Sequence, residues 1–149
     1  MNAPLDRMSV KRAAADRGFT LIELLVVVVI IGVLVAIAIP LYLNYQKGAQ
    51  DKSAQSDVRN AVIAIEQCYT DGGNTYQTTD VTTAQTANYT MTCGSAPTTG
   101  TATLVVTKGN QLTYDYTAGP PASYSVAVRN NNTLHTFTYN STTGQITQS

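Results

Sequence analysis

Apolar positions follow three different patterns along this chain. Residues 24–43 form a run of twenty without a charge. As a helix that run is about 30 Å long, the hydrocarbon thickness of a bilayer. Its many Val and Ile residues are mediocre helix formers in water, but in lipid every backbone group must be bonded within the segment, so the helix still wins. Past the run, Ala54, Val58, Ala61, Val62, Ile65 and Tyr69 recur at spacings of three and four, the apolar stripe of a continuing helix. Lys47, Asp51, Lys52, Asp57 and Arg59 supply its polar face, with a Lys47–Asp51 pair in the less favourable orientation. Asp71-Gly72-Gly73 stops the helix. Pro40 predicts a kink, since proline deletes a backbone bond and crowds the preceding turn. Gly48 is a milder weak point.

Residues 71–86 read as a loop, and after them the alternation changes to period two. NYTMTC (88–93), TATLVVT (101–107), QLTYDYT (111–117), SYSVAVR (123–129) and TLHTFTY (133–139) read as strands. GSAPTTG, KGN, AGPPA and NNN separate them, and NSTTG follows the last. Each separator is turn-forming, and the short ones favour antiparallel hairpins. Thr, Val and Tyr suit a half-buried pleated surface. One sheet face, carrying Leu112, Tyr114, Tyr124, Val126 and Val128, is expected to pack on the 58–65 stripe. The predicted class is α+β, a long N-terminal helix whose second half packs on a small antiparallel sheet.

Charge and composition then exclude several functions. The 149 residues suit one domain of ordinary size. Nine Lys and Arg balance nine Asp and Glu, but unevenly. Residues 1–18 carry Arg7, Lys11, Arg12 and Arg17 against Asp6 and Asp16, whereas from residue 73 onward only Asp80, Lys108, Asp115 and Arg129 are charged. Threonine replaces charge there, with 22 among residues 70–149. No basic field of this chain is strong enough to hold nucleic acid by neutralising phosphates. The cations ahead of the apolar run leave the N-terminus in the cytoplasm and the rest outside. Tyr42, at the end of the run, and Tyr45, just after it, stand at the level expected of a membrane interface.

Two cysteines, Cys68 and Cys93, form no CxxC pair, and a lone His135 completes no metal set. In an exported segment the even count reads as one disulfide, with two buried free thiols as the alternative. A bridge would close a loop of about 26 residues and stabilise by roughly 3–4 kcal/mol in the chain-entropy account. No Ser/His/Asp set, phosphate loop or carboxylate pair can be assembled, so neither enzymatic activity nor a cofactor or metal is expected. N-x-[ST] patterns at Asn88, Asn131 and Asn140 are at chance level in a chain this rich in Asn and Thr.

The N-terminal segment RGFTLIELLVVVVIIGVLVAIAIP (17–40) fits neither a plain anchor nor a plain signal peptide. The small-residue triplet Ala36-Ile37-Ala38 lies inside the apolar run rather than after it, so cleavage there would discard the span. Glu23 near the start of the run is a carboxylate that a membrane helix disfavours and that marks a pairing. Arg17 is six residues away on the cytoplasmic side, so the partner is expected from elsewhere.

These residues resemble the class III signal of type IV prepilins and their pseudopilin relatives. The resemblance covers about 25 residues, and beyond Gln46 it is one of layout only. It implies cleavage between Gly18 and Phe19 by a membrane-embedded prepilin peptidase, then N-methylation of Phe19. It assigns Glu23 to pairing with the Phe19 amine of a neighbouring subunit, where a buried charge becomes tolerable once partnered. Gly32 and Pro40 match positions where the family's helix loosens in a filament. Implied segments are a leader (1–18), a transmembrane and filament-core helix (19–43), an amphipathic half-helix (44–70) and a globular head (71–149). Implied partners are identical subunits, the peptidase, the pilus assembly machinery of the inner membrane, and the membrane itself before assembly. The leading expectation is the major structural subunit of a type IV pilus, serving adhesion, motility or DNA uptake. Alternatives are a minor pilin or a type II secretion pseudopilin, and more remotely a membrane-anchored binding module. The last 34 residues contain no Asp or Glu, which disfavours the acidic calcium site usual in major pseudopilins. A disulfide at Cys68 and Cys93 also differs from the C-terminal loop bridge of the best-known pilins, so that family's adhesive loop does not transfer.

Overall fold

The computed structural model describes residues 19–149. One helix, α1 (Leu21–Asp71), precedes seven strands: β1 (Val81–Gln85), β2 (Tyr89–Ser95), β3 (Thr98–Leu104), β4 (Asn110–Thr117), β5 (Ser123–Asn130), β6 (Thr136–Asn140) and β7 (Gln145–Gln148). The fold is α+β. The chain divides into two compact units, the first ending at Pro40 and the second, the head, spanning Leu41–Ser149.

In the first unit the sequence dictates a helix with no polar face. α1 contains an 18-residue window of mean hydropathy 3.3, none of it buried, long and apolar enough to cross a membrane. Its large apolar side chains, from Leu21 through Ile39, are all exposed. Apart from the backbone of its own helical turns, Gly32 has no described atom within 4 Å of where a Cβ would stand. Pro40 lies inside α1 and does not end it.

The head is built on the amphipathic half of the helix. Ala54, Asp57, Val58, Ala61, Ile65 and Cys68 are its buried positions, at spacings of three and four. They meet a five-stranded sheet of order β1-β4-β5-β6-β7 and a separate β2-β3 hairpin, antiparallel throughout. On one sheet face Leu112 stands opposite Val128 and Tyr114 opposite Val126. With Tyr124 they are buried in a single core with the helical stripe, Val81, Met91, Leu104, Val106 and Phe137. Period two works as expected here: β4 and β5 alternate buried with less buried residues along their length.

Four expectations need correction. Residues 71–86 are not all loop, because β1 adds to β4, anchored by buried Val81 opposite Tyr114. The Asn140–Gly144 turn leads into a further strand, β7, which pairs with β6 through Tyr139 and Ile146. Both strands carry one anchoring apolar residue apiece among Thr and Gln, too little alternation to read in advance. The strand expected at 133–139 begins only at Thr136, since residues 131–135 form a turn clamped by the Asn130 carboxamide, with Leu134 at φ +63°. Asp57 is not on the polar face; it is 3% exposed, for reasons given below.

The end of α1 is locked to the hairpin. Cys68 and Cys93 are joined by a disulfide with a Cα–Cα distance of 5.6 Å. Around it the backbones touch: a Cβ on Gly100 would lie 2.5 Å from the Cys68 carbonyl oxygen and 2.8 Å from the Gly72 nitrogen. Only glycine permits that approach. Gly73 and Asn74, both at positive φ, turn the chain out of the helix.

Candidate assembly site at the helix N-terminus

The first turn of α1 begins where the apolar run begins. Thr20 precedes the first helical residue, and Glu23 is the third residue of the helix. The Thr20 amide and hydroxyl both donate to Glu23 Oε2 at 2.8 Å, and the Glu23 amide reaches back to Thr20 Oγ1 at 3.3 Å. This reciprocal arrangement is a capping box, which satisfies amides that the first helical turn leaves free. A carboxylate there also complements the positive end of the helix dipole. Glu23 therefore has a partner within its own chain, which sequence reasoning did not expect. The signal was present as Thr20-x-x-Glu23 directly ahead of an apolar run.

Of the residues singled out from sequence, Phe19 and Glu23 stand together at this exposed terminus, Phe19 being 85% exposed. Gly18 and the rest of the leader lie outside the described residues. Gly32 and Pro40 lie further along α1. Cys68 and Cys93 belong to the head. What this terminus offers chemically is an apolar rod with one carboxylate near its start, none of whose apolar window is buried among the described residues.

The head contains polar chemistry that sequence reasoning missed. The Asp57 carboxylate accepts from the Thr107 amide and hydroxyl at 2.8 Å each and from Asn110 Nδ2 at 2.7 Å. Asn130 Nδ2 in turn donates to Asn110 Oδ1 at 2.7 Å. Asp57, Asn110 and Asn130 are all at most 3% exposed, and among the described residues no buried side-chain polar atom lacks a partner. Nearby, Thr133 Oγ1 and His135 Nδ1 bond the two oxygens of Asp51 at 2.5 and 2.9 Å. Burial opposes the Asp51 charge, yet the bonds from Thr133 and His135 outweigh it and hold its pKa below the usual carboxylate range. The Lys47–Asp51 pair expected from spacing is therefore displaced by contacts across 84 residues of sequence.

A tyrosine cluster closes the other end of the head. Tyr76 stacks on Tyr69 at 4.3 Å and meets Tyr124 at 5.0 Å, while Tyr114 and Tyr139 each lie 5.9 Å from Tyr124. Glu66 accepts from the Tyr124 hydroxyl at 2.7 Å. Burial, with the Glu66 charge beside it, pushes Tyr76 up to about 12. Burial drives Tyr114 and Tyr124 upward as well.

Comparison with known proteins gives one family match and several partial relatives. Residues 14–39 match the family of the prokaryotic N-terminal methylation motif. The chain is 51% identical over 57 residues to a type IV major fimbrial protein, FimA, of Dichelobacter nodosus, covering 38% of this chain and 36% of that protein. It is 48% identical over 58 residues to a fimbrial protein of Pseudomonas aeruginosa, covering 39% of this chain and 38% of the relative. A probable minor fimbrial protein of Dichelobacter nodosus is 45% identical over 58 residues, covering 39% and 36%. The chain thus spans little more than a third of the length of these relatives. No solved structure matches.

Proposed function

From an N-terminal segment that matches the methylation motif, in a chain with partial similarity to type IV fimbrial proteins, we propose that this chain is the major structural subunit of a type IV pilus. Its role is structural rather than catalytic. The observation that carries the reading is the terminus itself, an apolar helix left uncovered among the described residues, with a single carboxylate in its first turn, coinciding with the methylation motif. An apolar surface of this extent needs lipid or protein against it. Lipid covers it in the membrane-anchored precursor, with the N-terminus in the cytoplasm. Identical subunits cover it in an extracellular filament serving adhesion, motility or DNA uptake.

In this reading a prepilin peptidase removes residues 1–18, cutting between Gly18 and Phe19, and Phe19 is N-methylated. The new amine is cationic. Glu23 Oε2 is engaged by Thr20, and Oε1 is the oxygen through which the carboxylate meets the Phe19 amine of a neighbouring subunit. The intrachain cap holds the carboxylate at the helix edge in one rotamer, and the intermolecular pair then sets the axial position of the incoming subunit. Gly32 and Pro40 are the places where α1 loosens on assembly. The assembly machinery of the inner membrane acts on the processed subunit. A minor pilin is the second reading, favoured by the 45% match to a probable minor fimbrial protein.

The test is Glu23→Ala in the full chain. Mass spectrometry of the membrane fraction should find a processed subunit beginning at methylated Phe19, because the cut lies before the substitution. Sheared surface fractions should contain little of it. Normal numbers of normal-length filaments from Glu23→Ala would refute the pairing, and a mature chain beginning at Met1 would refute the processing.

A further inference from the structure

The ionisable residues of the head are sorted by end. Contacts between α1 and the sheet define the two ends: Asp57 reaches Thr107 and Asn110 at one, and Glu66 reaches Tyr124 at the other. β4 runs from Asn110 at the Asp57 end to Tyr116 at the Glu66 end, where Tyr116 stands opposite Tyr124. Every cation after residue 43 lies at the Asp57 end and is exposed: Lys47, Lys52, Arg59, Lys108 and Arg129. Lys108 follows Thr107, and Arg129 stands opposite Gln111 at the start of β4. The exposed anions Glu66, Asp71, Asp80 and Asp115 lie at the Glu66 end. Asp71 closes α1, Asp80 accepts from the Tyr116 amide, and Asp115 precedes Tyr116. Asp51 and Asp57 also stand at the cationic end, but both are bound internally.

Glu66 and Asp80 also accept hydrogen bonds within the head, but the separation of the two signs does nothing for the isolated chain. Glu66 and Asp71 occupy the last turns of α1, where the negative end of the helix dipole disfavours anions, and no basic residue sits in its last turn. Among the described residues the single ion pair is Asp51–His135, so no exposed cation of the head is matched to an anion of its own chain. Like charges gathered at each end repel one another. Both facts change sign when a second head meets the first.

We propose that heads of copies stacked along the filament dock end to end, the cationic Asp57 end of one against the anionic Glu66 end of the copy beyond it, a partner further along the axis than the neighbour whose Phe19 meets Glu23. This rests on the pilus-subunit reading and names the partner surface as a second copy of the same chain. Such a contact joins two different surfaces of one molecule, and a heterologous contact that does not close propagates as an open filament. Complementary potentials steer the approach of an incoming subunit and reject the inverted orientation.

The test uses two full-chain variants made in cells. One reverses the cationic end with Lys52→Glu, Lys108→Glu and Arg129→Glu; the other reverses the anionic end with Asp71→Lys, Asp80→Lys and Asp115→Lys. Each alone should be processed normally yet give fewer and shorter surface filaments. Produced together they should restore filaments containing both chains, because a wholly anionic head complements a wholly cationic one. Wild-type yield and length from either variant alone would overturn the proposal, as would failure of two folded, processed variants to co-assemble. Should the triple lysine variant fail to fold, Asp115→Lys alone decides by filament length, since its side chain is on the solvent face of β4. Absence of filaments from the wild-type chain would remove the pilus reading, and this one with it.

Discussion

Asp57 offers the sharpest test of how the head is held together. In Asp57→Ala three donors lose their acceptor, but they are not equivalent. The Thr107 hydroxyl belongs to an exposed residue and can turn to water. The Thr107 amide has no such freedom, and Asn110 Nδ2 keeps only a 3.4 Å contact with Ser53. A stranded buried donor costs about 1–3 kcal/mol, so two strand about 2–6, reduced by no longer burying a carboxylate. We expect a loss of about 3 kcal/mol. Asp57→Asn should behave differently. Its carbonyl oxygen can take the place of Oδ2, accepting from the Thr107 amide and Asn110 Nδ2, while its NH2 donates to a reoriented Thr107 hydroxyl. The bonds persist but lose charge assistance, which roughly halves them, and recovered desolvation offsets part of that. The expected change is within about 1 kcal/mol. Urea unfolding of the detergent-solubilised full chain, followed by tyrosine near-UV signal, measures both. Equal destabilisation by Ala and Asn would show that charge, not acceptor geometry, sustains the network, and no loss in Asp57→Ala would refute its importance altogether.

Gly100→Ala should destabilise the head by about 1–3 kcal/mol or more, because its Cβ would stand 2.5 Å from the Cys68 carbonyl oxygen and only backbone movement can relieve that; thermal unfolding checks it. Cys68→Ser in exported protein should cost roughly 2–5 kcal/mol, and recovery of both cysteines as alkylated thiols without reductant would remove the bridge. Tyr76, Tyr114 and Tyr124 are all held neutral in the folded head, so folding favours their protonated forms. Their contribution is complete below pH 10, the ordinary tyrosine value, and declines as pH rises toward about 12, the Tyr76 value. An alkaline titration at 295 nm should therefore show late, cooperative ionisation coincident with unfolding, and early independent ionisation of all tyrosines would contradict it.

Much of this molecule is determined locally. Twenty uncharged residues can only be a helix in lipid, the stripe from Ala54 to Ile65 can only be one helical face, and Asp71-Gly72-Gly73 can only end it, because each follows from periodicity and backbone freedom within a few residues. The capping box is equally local, Thr20 three residues before Glu23. The fate of Asp57 was of another kind. Its place among Lys52, Ser56 and Arg59 says solvent, and only the β3–β4 connection, brought over it by pairing 50 residues later, supplies donors enough to bury a charge. The same holds for Asp51 with His135, for Val81 beside Tyr114, and for Gly100 against Cys68, where chain segments far apart in sequence meet at atomic contact. Local pattern thus chose the helix and the central strands, while long-range pairing added β1 and β7 and chose which polar groups could leave water. The reason is that a polar side chain is buried only where its partners are assembled, and assembling them is the work of the whole sheet.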